Sequence, residues 1–251
     1  MKATSIVAHE LSFKETGKDS FGKKFNLNEV QVNVPGFTEK LKLTDCIREN
    51  GDKSFYFEEI IPKTKIVLHF TAGYLKGDIG TLTQAGNHVS VPFVIARNGE
   101  IYNLFTSKYW SYHLGKNAVG GNTDMSQKTI AIEISNIGCL KKIGNNLVTT
   151  YSNSDIYCSL DETSYYTKVS NYRGFEYFAT FTQAQYNSLK LLLKFLTNKY
   201  SIPYNFLPLE KRFNVFANAA EANAFKGICS HVNFRTDKWD IGTAFDWNKI
   251  I

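Results

Sequence analysis

The sequence predicts an α/β (α+β) fold in which a central mixed β-sheet is flanked by helices. Three stretches predict it. Lys65-Ile66-Val67-Leu68-His69-Phe70-Thr71 is short, β-branched and continuously apolar, as a strand buried on both faces must be. Lys128-Thr129-Ile130-Ala131-Ile132-Glu133-Ile134-Ser135 alternates, with Ile130, Ile132 and Ile134 on one face and Ala131, Glu133 and Ser135 on the other. Thr182-Gln183-Ala184-Gln185 is a capping box, and Tyr186, Leu189, Leu192, Leu193, Leu196 and Tyr200 follow it as one apolar stripe at helical spacing.

Taken in order, residues 1–55 read as a polar, irregular N-terminal extension of a catalytic domain spanning 56–251. Within the extension, residues 29–34 alternate and suit a short edge strand, and residues 44–50 suit one or two helical turns stopped by Gly51. The strand ending at His69 puts an imidazole at the sheet's edge beside a loop. Residues 91–96 and 101–105 flank Arg97-Asn98-Gly99-Glu100, and Asn-Gly between two apolar runs marks a hairpin. Tyr109-Trp110-Ser111-Tyr112-His113-Leu114-Gly115 sets aromatics around a histidine, which either line a groove or form a core corner. Residues 138–178 are a polar, aromatic-rich insertion, read either as a lid over a cleft or as a surface excursion. The capped helix stops at Ile202-Pro203, and residues 217–225 suit a shorter helix.

Composition narrows the function. At 251 residues, 43% hydrophobic and 21% charged, the chain is an ordinary globular one and not a disordered one. A net charge of +6 and a pI near 9.0 suit an anionic partner such as a nucleic acid, a phospholipid or a cell-wall polymer. The basic residues are scattered, with no run resembling a nucleic-acid arm, so a nucleic-acid partner is not expected. Cys46, Cys139, Cys158 and Cys229 lack Cys-x-x-Cys spacing, which argues against a zinc ribbon or a dense disulfide framework. The first residues lack the apolar core of a secretory signal, and no apolar run spans a bilayer. Synthesis in the cytoplasm, with reduced thiols and without membrane insertion, is expected.

Chemistry concentrates in three segments. His231-Val232-Asn233-Phe234-Arg235-Thr236-Asp237-Lys238-Trp239-Asp240-Ile241-Gly242 combines an imidazole, an ammonium and carboxylates. His231 and Asp240 suit two legs of a zinc site, although charges in such a segment are commonly solvated. A catalytic zinc site takes three protein ligands, and His69 is the best third candidate. Glu133 stands mid-strand among apolar residues, where an ionised carboxylate is expensive to bury. It needs an ion-pair partner, a wet cleft or a raised pKa, and it is the most informative carboxylate in the chain.

These segments resemble the zinc-dependent N-acetylmuramoyl-L-alanine amidases, the group shared by phage lysozyme-type amidases and peptidoglycan recognition proteins. The matching motifs are Ile66-Val67-Leu68-His69-Phe70-Thr71, Phe93-Val94-Ile95-Ala96-Arg97-Asn98-Gly99-Glu100-Ile101-Tyr102, His113-Leu114-Gly115, Ile130-Ala131-Ile132-Glu133, the helix from Thr182 to Pro203, and His231 with Lys238-x-Asp240-x-Gly242. They keep the family's order over roughly residues 60–247.

The resemblance implies one Zn²⁺ held by His69, His231 and Asp240, with Glu133 as general base and Lys238 steadying the oxyanion. His88, Trp110 and His113 are the expected substrate contacts. Cys229 and His113 stand as rival ligands. Where active relatives often carry Tyr or His before the Phe93 position, Val91-Pro92 stands here, so the base role rests on Glu133. The usual Pro after the aspartate is Ile241. The implied reaction is hydrolysis of the amide between N-acetylmuramic acid and L-alanine, by a monomer acting as an endolysin on the cell wall. The alternatives are a non-catalytic peptidoglycan-binding module and a cytosolic amidase recycling soluble muropeptides.

Overall fold

The computed structural model describes residues 2–251. In chain order the elements are α1 (Lys2–Thr16), β1 (Phe25–Val32), β2 (Leu41–Arg48), β3 (Lys65–Phe70), α2 (Leu75–Leu82), β4 (Phe93–Ile95), β5 (Ile101–Asn103), α3 (Asn122–Gln127) and β6 (Thr129–Ile134). Then come β7 (Cys139–Ile143), β8 (Asn146–Thr149), β9 (Ile156–Ser159), β10 (Tyr166–Tyr172), β11 (Phe175–Ala179), α4 (Gln183–Tyr200), α5 (Ala219–Ala224) and β12 (Gly227–Ser230). The expected mixed α+β architecture is present.

The main sheet has seven strands in the order β1-β2-β5-β4-β6-β3-β12. β6, β3 and β12 run parallel, and β4 joins β6 in parallel while the Asn98-Gly99 hairpin returns β5 antiparallel to β4. Registered residues of parallel strands share a face. Ile66 and Leu68 of β3 therefore lie beside Ile130 and Ile132 of β6, and all four are buried in one core with Leu189, Leu192, Leu193 and Leu196 of α4. Each such leucine stabilises the fold by roughly 1.5–3 kcal/mol relative to leaving it in water. The Thr182 hydroxyl accepts from Gln185 N–H and the Gln185 side chain accepts from Thr182 N–H, closing the capping box; Ser201 ends α4 in the left-handed region. With one face of β3 and β6 committed to α4, the alternate residues Val67, His69, Ala131 and Glu133 are turned to the opposite face.

Three expectations change. Residues 44–50 are not helical turns: β2 covers most of them and pairs with β1 on one side and β5 on the other. Its alternation passes through Asp45, Cys46 and Arg48 and so does not read as apolar. Asp45 accepts from the Asn103 side chain at 2.7 Å across the β2–β5 pair, and the Arg48 guanidinium donates to the Thr83 carbonyl at 2.8 Å. The residues before β1 are not irregular either, since Phe13 of α1 is fully buried against Phe25 and Tyr102. Finally, the insertion, read as either a lid over a cleft or a surface excursion, has regular structure of its own. It is a second sheet of order β10-β11-β7-β8-β9, antiparallel throughout, whose Leu140, Leu147 and Tyr157 share a core with Ile6 of α1.

Candidate active site

Strand register assembles the site. His69, next to last in β3, pairs with Glu133 of β6, so both side chains leave the same face near the carboxyl ends of two parallel strands. That end of a parallel sheet is where ligands bind in open α/β folds. β12 ends at Ser230, one strand over and paired with Leu68, and His231 follows at the head of a 3-10 turn. Asn233 accepts from Ser230 N–H at 2.9 Å and donates to the carbonyls of Lys211, Arg212 and Asn214, fixing the turn. Val232 N–H then reaches the Asp240 carbonyl at 2.9 Å, folding the intervening loop back on His231.

The result is a tight triangle. His69 Nδ1 lies 3.0 Å from His231 Nδ1 and 3.0 Å from Asp240 Oδ2, and His231 Nδ1 lies 2.8 Å from that same oxygen. All three residues are buried.

The surrounding hydrogen bonds decide where the protons sit. Thr129 donates its hydroxyl proton to the Met125 carbonyl at 2.8 Å, so toward His113 Nε2, 2.7 Å away, it can only accept. His113 Nε2 therefore carries the ring proton. Burial, reinforced by His69 and His231, holds His113 well below the ordinary histidine range, so the ring is neutral and its Nδ1 is an acceptor. That Nδ1 accepts from His69 Nε2 at 3.0 Å, which leaves a lone pair on His69 Nδ1. Burial and the neighbouring His231 push His69 down to about 4, so it too is neutral at physiological pH. His231 Nε2 donates to the Leu114 carbonyl at 3.0 Å, which leaves its Nδ1 facing the other two groups. Burial alone would raise the Asp240 pKa, but the two imidazoles, His231 first, hold its carboxyl below the ordinary range.

His69 Nδ1, His231 Nδ1 and Asp240 Oδ2 thus face one another at 2.8–3.0 Å, each imidazole with its outer nitrogen already engaged. With both Nδ1 atoms deprotonated, this donor set is one that a cation satisfies. Zinc bonds of about 2.0–2.2 Å in tetrahedral array would set neighbouring ligand atoms about 3.3 Å apart, so a slight opening of the triangle admits the ion. Two imidazoles and a carboxylate suit zinc among the common divalent metals. Long-range proton–nitrogen NMR on metal-free protein at pH 6 should show His69 and His113 as Nε2–H tautomers, with His69 uncharged although an ordinary histidine is largely protonated there. A protonated His69, or a proton on its Nδ1, would contradict the assignment.

Glu133 completes the site. Its Oε2 is buried without a hydrogen-bond partner. Burial, with Asp240 and Asp78 adding like charge, pushes its pKa well above the carboxylate range, and only Lys238 opposes this. An unpaired buried carboxylate oxygen carries a cost that a structural role does not explain. Lys238 is near enough for its charge to lower the pKa of both His69 and Glu133.

The remaining expected residues lie elsewhere. His113 stands behind His69 with both ring nitrogens engaged, which is neither a direct ligand's place nor a free substrate contact. Cys229 is not a ligand: its thiol is buried beside Val67, Leu114 and Phe234, and burial raises it to about 12. His88 and Trp110 stack on the two flanking sides of Phe57 at 4.1 and 4.2 Å, and Trp110 Nε1 donates to Glu59 at 3.0 Å. Among the described residues no hydrogen bond or ring contact joins either of them to the triangle. Thr129 escaped the sequence reading, because a threonine at a strand's start carries no signal until the ring it supports is known.

A family profile for N-acetylmuramoyl-L-alanine amidases matches residues 61–243. The chain belongs to this family. Among solved structures, it is similar to the complex of the N-acetylmuramyl-L-alanine amidase AmiD from E. coli with the substrate anhydro-N-acetylmuramic acid-L-Ala-D-γ-Glu-L-Lys, at 18% identity over 88% of this chain and a TM-score of 0.49. It is similar to AmpDh3 from Pseudomonas aeruginosa in complex with anhydromuramic pentapeptide, at 16% identity over 77% of this chain and a TM-score of 0.46. A selenomethionine derivative of AmpD is similar at 17% identity over 79% of this chain and 96% of its own, with a TM-score of 0.42. The chain spans 64% of the AmiD chain and 60% of the AmpDh3 chain. No curated protein sequence matches it significantly.

Proposed function

We propose that this amidase-family chain hydrolyses the amide between N-acetylmuramic acid and L-alanine in peptidoglycan, with one zinc ion held by His69, His231 and Asp240. The observation that carries the reading is the convergence of two imidazole nitrogens and a carboxylate oxygen on one point. A bound zinc ion supplies Lewis acidity, polarising the scissile carbonyl and acidifying water. Glu133, its Oε2 unpaired, takes the proton of the attacking water and delivers it to the departing alanine amine. Burial raises its pKa above the carboxylate range, the direction that suits a base which must also return the proton. Lys238 offers an ammonium to the negative oxygen of the tetrahedral intermediate.

That ammonium sets an expected magnitude. Lys238→Met should lower kcat about 10²–10³-fold, the usual worth of one oxyanion donor, with zinc content unchanged. A loss smaller than tenfold would remove Lys238 from this role.

The net charge of +6 favours the anionic wall polymer as substrate, and with it an endolysin-like, bacteriolytic enzyme made in the cytoplasm and acting on the wall. No helix among the described residues is long and apolar enough to cross a membrane. A recycling amidase would prefer soluble muropeptides. Release of muramoyl-linked fragments from intact sacculi, compared with cleavage of soluble muropeptide at equal enzyme, separates the two. Faster action on the soluble substrate would reverse the preference. A non-catalytic binding module would need neither the triangle nor the unpaired Glu133; a zinc-loaded chain that cuts neither substrate would establish that reading instead.

A further inference from the structure

One guanidinium outside the ligand set grips the loop that carries Lys238 and Asp240. The β10–β11 hairpin turns through Arg173 and Gly174, with Tyr172 paired to Phe175. Both central residues have positive φ, +49° at Arg173 and +90° at Gly174. Glycine adopts this tight hairpin turn freely, whereas a long side chain at its first position is strained and is kept only when neighbouring contacts demand it.

Those contacts are present. Arg173 Nη1 donates to the Arg235 carbonyl at 3.1 Å and to the Lys238 carbonyl, and Nη2 reaches the Phe213 carbonyl at 3.5 Å. Trp239 Nε1 donates back to the Arg173 carbonyl at 3.0 Å. The Tyr172 hydroxyl donates to Phe213 at 3.2 Å, and the Phe175 ring meets Trp239 edge-on at 5.8 Å. A Cβ at Gly242 would lie 2.7 Å from the Tyr172 ring, so the hairpin closes on the loop beyond Asp240 as well. Contacts thus fall before Lys238, on its own carbonyl, on the residue between it and Asp240, and two residues after Asp240.

We propose that Arg173 is a positioning residue for the catalytic loop, and that the second sheet serves the site by presenting it. The inference rests on the zinc-amidase reading for what the loop does. A planar fork reaches several carbonyls at once from a fixed direction, which a lysine ammonium on a flexible stem does not reproduce. The loop's own backbone bonds near the site are Val232 N–H to Asp240 and Phe234 N–H to His231, at its ends. Between those ends Arg173 supplies side-chain donors to the carbonyls of Arg235 and Lys238.

The full chain tests this as Arg173→Met and Arg173→Lys. Zinc affinity is read by competition with a chromophoric chelator, kcat and KM on soluble muropeptide, and Tm in the metal-free state. Both variants should bind zinc about 10-fold more weakly, the lower end of the usual loss for groups that orient metal ligands, and lose kcat with KM little changed. Melting of the metal-free chain should stay close to wild type. A hairpin that merely staples the second sheet in place would lower Tm and leave zinc affinity within twofold of wild type, and that result overturns the proposal. Full recovery in Arg173→Lys would overturn the geometric role. If Arg173→Met does not fold, Trp239→Phe keeps the ring packing and removes the returning hydrogen bond; it should weaken zinc at least threefold, and unchanged affinity overturns the proposal. A wild-type chain that binds zinc but cuts no substrate would sink the amidase reading while leaving the zinc comparison decisive for Arg173.

Discussion

Glu133→Gln is expected to lower kcat by about three orders of magnitude, within the usual 10²–10⁴ range for removing a general base, while zinc stays bound at wild-type stoichiometry. The amide fills the same space, so KM should change little. Stability should move the other way. Burial raises the folded pKa of Glu133 above its unfolded value, so between those two values the folded chain holds a proton that the unfolded chain releases. Stability then falls as pH rises through that window, and above it the full cost of a buried carboxylate is present. Glutamine never ionises, and metal-free Glu133→Gln should melt no lower than metal-free wild type at pH 7 and higher as pH rises from 5. Retention of more than a tenth of wild-type kcat would show that another group accepts the proton.

His69→Ala should abolish turnover by a different route, losing the metal with the activity. His69 supplies one corner of the triangle and is held there through His113 and Thr129. Removing it leaves His231 and Asp240, fewer than the three protein ligands of a catalytic zinc site. With zinc a thousandfold above its Kd, wild type gains about 4 kcal/mol of stability from binding that the variant forgoes. Melting scans with and without zinc should therefore show a large upward shift for wild type and almost none for His69→Ala. A variant that still bound zinc tightly would mean that the ligand set is wrong.

These two outcomes separate base from ligand, a distinction already legible in the chain. His69 and Glu133 are conspicuous as costly residues at the end and in the middle of apolar runs, whereas His231 and Asp240 stand out only as a short cluster of site-type side chains that the family resemblance made specific. Parallel register then does the convergence, since the pairing of His69 with Glu133 follows once β3 and β6 are neighbours. What did not read out depends on partners. The proton positions on His113 and His69 are set by the Met125 carbonyl through Thr129, and no spacing rule encodes that chain. β2 was missed because Asp45 and Arg48 occupy strand positions where the pattern expects apolar side chains, their polar ends satisfied by Asn103 and Thr83. The second sheet was missed because its strands are short and polar, and its grip on the catalytic loop runs through an arginine in a turn, where sequence favours glycine or asparagine.

X-ray absorption at the zinc edge of the loaded wild-type chain tests the central claim most directly. The expected spectrum is one zinc per chain with two imidazole shells and carboxylate oxygen at about 2.0–2.2 Å, and no sulfur at about 2.3 Å. A sulfur shell from Cys229, a third imidazole from His113, or a chain that takes up no zinc at all would contradict it.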